Sequence, residues 1–146
     1  GDGTELSAKV VLVATGVSYR VLDAPGVPEL HGRGVYYGAA MTEAMSCQGE
    51  EVYVVGGGNS AGQAAMYFSR YARQVTILVR GPGLAETMSQ YLIDQIAATP
   101  NIVLRARTQV AAAHGDGHLE RLTLRCAGGE TEEVPASSLF VFIGAA

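Results

Sequence analysis

Hydrophobic positions fall into two kinds of group along the chain. Short continuous runs rich in β-branched residues occur at residues 10–14 (VVLVA), 52–55 (VYVV), 75–79 (VTILV), 102–104 (IVL) and 139–143 (LFVFI). None alternates with polar residues, so each is expected to be a strand buried on both faces, as in a parallel sheet. Longer segments with apolar residues at helical spacing separate the middle runs. Ala61, Ala64, Ala65, Phe68 and Ala72 form one stripe behind Asn59 and Ser60, both good N-cap types. Met88, Leu92, Ile93, Ile96 and Ala97 form a second over residues 86–98, with Pro100 stopping it. Strands alternating with helices predict an α/β domain.

Between the fourth and fifth runs the period changes. Residues 108–113, 119–125 and 132–134 alternate around two turns, HGDGH at 114–118 and AGGE at 127–130, which predicts a three-stranded antiparallel meander before the chain returns to the parallel sheet. Residues 18–42, with Pro25 and Pro28, read as an irregular connection holding one short strand at 35–37.

Composition narrows the class. The 146 residues are 48% hydrophobic and 16% charged, with 10 Lys and Arg against 14 Asp and Glu, a net charge of -4. Such a chain can bury a real core. It has no basic cluster of the kind that binds nucleic acid or an anionic membrane surface. No apolar run nears the ~20 residues that span a bilayer, and GDGTELSAK lacks a signal-peptide layout, so the expected location is cytoplasmic. Cys47 and Cys126 lie far apart and are expected to be small buried thiols. His31, His114 and His118 are scattered over predicted loops, so no metal site is expected.

The chemistry concentrates in VVGGGNSAGQAA. Gly56, Gly58 and Ala61 make a G-x-G-x-x-A pattern set between a strand and a helix, with a second strand in order behind it. Gly56 suits a tight turn, Gly58 lets a pyrophosphate approach the backbone, and Ala61 allows close helix–sheet packing. The N–H groups of Gly58, Asn59 and Ser60 would face the phosphates, at the positive end of the helix dipole. A turn used only for packing is the alternative. At the end of the next strand, where NAD sites commonly carry an acid, stands Arg80, which suits a 2′-phosphate. NADPH is therefore favoured, with NADH left open.

With those residues in place, the sequence resembles the pyridine-nucleotide-binding part of thioredoxin-reductase-like flavoproteins. VVLVATG at 10–16 resembles the segment that closes on FAD, and GVYYGAAMTEA at 34–44 the segment that carries the redox C-x-x-C. VVGGGNSAGQAA at 54–65 resembles the NADPH loop, and LFVFIGAA at 139–146 the strand into the last FAD motif. The resemblance implies a Rossmann-like FAD/NAD(P)-binding fold: a parallel sheet flanked by helices plus the meander. It also implies NADPH on Gly56, Gly57, Gly58, Asn59, Ser60, Ala61 and Arg80, with Ile143 and Gly144 near the nicotinamide. In a complete protein Thr15 and Gly16 would touch FAD.

Three departures stand out. Gly38 and Met41 occupy the redox cysteine positions, so no dithiol relay through that motif is available, and no catalytic residue is assigned. Gly81 and Ala85 stand where further arginines are common. The first FAD motif is missing, so residues 1–33 are expected to be the end of a flavin domain and a linker, and 34–146 the NAD(P)H domain of a larger flavoprotein. The subgroup most like this sequence is bacterial and lacks the C-x-x-C. The expected partners are the flavin domain of the same chain, an electron acceptor such as a disulfide, an iron–sulfur protein, a quinone or oxygen, a second copy in a homodimer, and a fused cyclic-nucleotide-binding domain. The expected activity is FAD-dependent NADPH oxidation by the full-length protein, the 146 residues alone being inactive. A non-catalytic nucleotide sensor is the alternative.

Overall fold

The computed structural model describes residues 3–5, 7–9, 20–38 and 47–144. The run predicted at 10–14 lies outside them. Among the described residues eight strands and two helices follow in order: β1 (Val35–Tyr37), β2 (Glu51–Val55), α1 (Asn59–Phe68), β3 (Gln74–Leu78), α2 (Gln90–Ala97), β4 (Ile102–Arg105), β5 (Thr108–His114), β6 (Arg121–Cys126), β7 (Thr131–Pro135) and β8 (Ser138–Val141). A five-stranded sheet has the order β1-β8-β2-β3-β4, and β5-β6-β7 form a separate three-stranded sheet. Every pair in the first is parallel and both pairs in the second are antiparallel.

Strand alternation sends the side chains of the parallel sheet into two cores. Val52, Val54, Val75, Ile77 and Phe140 meet Ala61, Ala64, Ala65 and Phe68 of α1 and Leu92 and Ile96 of α2. The Phe68 and Phe140 rings stack with centroids 4.1 Å apart. Gly62 lets α1 and α2 pack closely, since a Cβ there would lie 2.6 Å from Leu92 Cδ2. Val35, Tyr53, Leu139 and Val141 face the other way, against Val110, Leu122, Leu124 and Val134 of the meander. Residues 20–33 join this second core through Ala24, Val27 and Leu30. Ala113 N–H donates to the Pro25 carbonyl at 2.9 Å.

Four expectations are corrected. The fourth strand is not buried on both faces: Val103 and Leu104 are 38% and 41% exposed, because β4 is the sheet edge. The first helix ends at Phe68, and Ala72 is buried from the following turns, its N–H on the Phe68 carbonyl. The second begins at Gln90 behind Ser89, not at 86, because Leu84 turns the chain first and its carbonyl accepts from both Thr87 and Met88. The last strand stops at Val141, leaving Phe142 and Ile143 beyond its end.

Candidate nucleotide-binding cleft

From β2 the chain runs through α1 to β3 on one side, whereas its other neighbour, β8, is reached last. Strand order therefore reverses between β2 and β8, the place where open α/β sheets bind ligands at their carboxyl ends. A cleft of about 1020 Å³ opens there. Residues 56–61 form one wall, Arg80 to Gly83 the next, and Ile143 and Gly144 a third.

The glycines of the turn are there for different reasons. Gly56 has φ +140°, and a Cβ on it would lie 2.3 Å from the Phe142 carbonyl oxygen, so the fold itself requires glycine. Gly58 has φ -91° and ψ 177°, extended backbone open to any residue, and a Cβ there would meet no atom of the other described residues within 4 Å. Among the described residues nothing demands glycine at 58; the space it leaves is cleft. Gly57 is intermediate, 3.0 Å from Thr87 Oγ1 by the same measure. Ala61 is fully buried beside Gly56.

Gly58, not Asn59 or Ser60, caps α1, and no side chain bonds the head of the helix. Asn59 instead turns its Oδ1 to the Ser89 N–H at 2.8 Å. Among the described residues no backbone carbonyl accepts from the N–H of Gly58, Asn59 or Ser60, and no acid stands in the first turn. The helix head is left as a group of free donors at the positive end of its dipole.

Arg80 is exposed on the cleft wall at the end of β3, and among the described residues no carboxylate pairs with it. Gly38 also lines the cleft, with φ +73° and its N–H on the Val141 carbonyl at 3.1 Å. Gly144 accepts from Arg20 N–H at 3.0 Å. Thr15, Gly16 and Met41 lie outside the described residues. Thr87, which lines the cleft and donates its hydroxyl to the Gly57 carbonyl at 2.5 Å, was not anticipated. Its partner is 30 residues away, and no local pattern marks it.

Other candidates sit apart. Cys47 is buried, its thiol donating to Ser138 Oγ at 3.7 Å, but Cys126 is only half-buried, which corrects one expectation. Cys126 ends β6 on the meander, where Arg105 reaches its sulfur at 3.7 Å and bonds Glu132 at 2.8 Å. That bond to Glu132 raises the Arg105 pKa above its usual value. His114 Nε2 lies 2.7 Å from Thr123 Oγ1, His118 Nδ1 lies 3.0 Å from the Leu119 carbonyl, and His31 packs edge-on to Tyr37. Among the described residues no group of His, Cys, Asp and Glu could hold a metal, and no helix is long and apolar enough to cross a membrane.

A parallel sheet with this switch point, a glycine turn leading into α1 and an attached meander define a Rossmann-like domain of the FAD/NAD(P)-binding type. The chain belongs to the pyridine nucleotide-disulphide oxidoreductase family, whose match spans residues 1–146. It is 38% identical over 143 residues to a thioredoxin reductase of Streptomyces clavuligerus, covering 97% of this chain and 44% of that protein. A thioredoxin reductase of Peptoclostridium acidaminophilum is 35% identical over 151 residues, covering 99% and 47%. The crystal structure of thioredoxin reductase from Streptococcus pyogenes MGAS5005 superposes with a TM-score of 0.83 at 26% identity, covering 90% of this chain and 42% of that one. The chain thus spans a little under half the length of these relatives.

Proposed function

We propose that this chain is the NADPH-binding part of a thioredoxin-reductase-like, FAD-dependent oxidoreductase. The observation that carries the reading is Gly58: its missing side chain opens onto the cleft and serves no internal contact. A pyrophosphate fits that space, because the adjoining N–H groups of Gly58, Asn59 and Ser60 lack acceptors there. Arg80, exposed on the same cleft and paired with no carboxylate among the described residues, would take the 2′-phosphate through charge-assisted hydrogen bonds. Ile143 and Gly144, beyond the end of β8, would border the nicotinamide half.

When bound, NADPH supplies a hydride and FAD accepts it. This chain's residues would bind and orient the nucleotide and perform no acid–base step. Residues 34–146 would be the NAD(P)H domain and 1–33 the end of the flavin domain, with Thr15 and Gly16 on FAD. This chain would supply no internal dithiol at the cleft, since Gly38 and Met41 would stand at the two redox cysteine positions and neither Cys47 nor Cys126 is among the described residues that line it. Electrons would therefore leave to an external acceptor, a disulfide or another group.

Calorimetric titration with NADPH and NADH, on the wild-type chain and on Arg80→Ala, tests the reading. A charge-assisted contact contributes roughly 1.5–3 kcal/mol, so Arg80→Ala is expected to weaken NADPH by about tenfold or more and leave NADH unchanged. If the full-length protein binds neither nucleotide, the reading fails.

A further inference from the structure

Residues 56–58 are three glycines in succession, the backbone sequence with the greatest conformational freedom. A binding peptide in such a turn needs an external tether to hold its plane. Two hydrogen bonds from the segment after β3 reach the turn: Thr87 Oγ1 donates to the Gly57 carbonyl at 2.5 Å, and Ser89 N–H donates to Asn59 Oδ1 at 2.8 Å. Both side chains are exposed at the cleft rim, so neither bond comes with burial in the core. Between them Met88 is buried against Gly62, which anchors the segment to α1.

The Gly57–Gly58 peptide is planar and trans, so fixing its carbonyl also fixes the direction of the Gly58 N–H. That N–H is one of the free donors at the head of α1. We propose that Thr87 is a positioning residue for the nucleotide: its hydroxyl holds the Gly57–Gly58 peptide in the plane that presents the Gly58 N–H to the pyrophosphate, and the Asn59–Ser89 bond is the second tie. The inference rests on the reading of the cleft as a dinucleotide site. It assigns Thr87 a role distinct from that of Arg80, because the pyrophosphate is common to NADPH and NADH whereas the 2′-phosphate is not.

The test uses the full-length protein and dissociation constants for both nucleotides. Thr87→Val keeps the shape and removes the donor. It is expected to weaken NADPH and NADH by the same factor, about tenfold for a misdirected bond to a charged group. The ratio of the two affinities should not move, and Thr87→Ser, which restores the hydroxyl, should return both to within about twofold of wild type. Thermal unfolding identifies a misfolded variant, and Thr87→Ala then replaces Thr87→Val. Affinities unchanged by loss of the hydroxyl, or a Ser variant as weak as the Val variant, would overturn the positioning role and leave the dinucleotide reading standing. Failure of the wild-type protein to bind either nucleotide would overturn both.

Discussion

Gly56 and Gly58 carry the same side chain for opposite reasons, and alanine at each separates them. At Gly56 the new methyl would sit 2.3 Å from the Phe142 carbonyl oxygen with φ at +140°. The backbone must leave the left-handed region or push β8's end away by about 1 Å, and strain with overpacking costs about 3 kcal/mol. For a chain of this length that lowers Tm by about 10 °C. At Gly58 the methyl enters open cleft from φ -91°. Losing the unfolded-state freedom of glycine contributes about 0.4–1 kcal/mol and the poorer fit of alanine at an N-cap offsets it, so Tm moves by no more than a few degrees. The same methyl stands where the pyrophosphate would approach, and one lost charged hydrogen bond of roughly 1.5–3 kcal/mol raises the NADPH Kd at least about tenfold. Thermal unfolding and calorimetric titration, run on both variants, check the pair. A Gly58→Ala protein that binds NADPH as wild type does would refute the argument that this glycine exists for a ligand.

Sequence alone could not tell those two glycines apart, because the distinction lies in what surrounds them: Phe142 follows the last strand, more than eighty residues further along the chain. The inner strands were readable from composition, since β2, β3 and β8 have apolar neighbours on both faces and show it as unbroken runs. The run IVL reads the same way yet forms an edge, because strand order, not composition, decides which strand has one neighbour. The meander was legible through its turn residues, with its ends within two positions of those expected. The packing of residues 20–33 was not, because it depends on Gly26, where a Cβ would lie 1.9 Å from the Ala113 oxygen of β5. In the cleft, the turn and Arg80 follow from a local motif, whereas Thr87 depends on a partner in another loop. Asn59 looked like a cap and became a cross-loop acceptor because Ser89 offers a fixed backbone donor within reach.

Two further outcomes follow from the cores. Phe68 is fully buried and stacked on Phe140, so Phe68→Ala should cost about 3–5 kcal/mol of stability in urea unfolding; a loss under about 1 kcal/mol would mean that the helix face does not depend on this stack. The other core carries a titrating group. Burial, and then the Glu51 carboxylate beside it, raise the Tyr53 phenol above its ordinary pKa of 10.0. The folded chain holds that proton more tightly than the unfolded chain does. Below pH ~10 both states keep it and its contribution to stability is complete. As pH rises beyond that, the unfolded chain ionises first, so the contribution is lost progressively until the folded phenol titrates. Tyr53→Phe removes the proton and with it this part of the alkaline slope. Unfolding free energies measured between pH 8 and pH 11, about two units below and one above the free phenol's pKa, should therefore fall more steeply for the wild type than for the variant. Parallel curves would show that the phenol titrates alike in both states and that its burial in β2 does not oppose its ionisation.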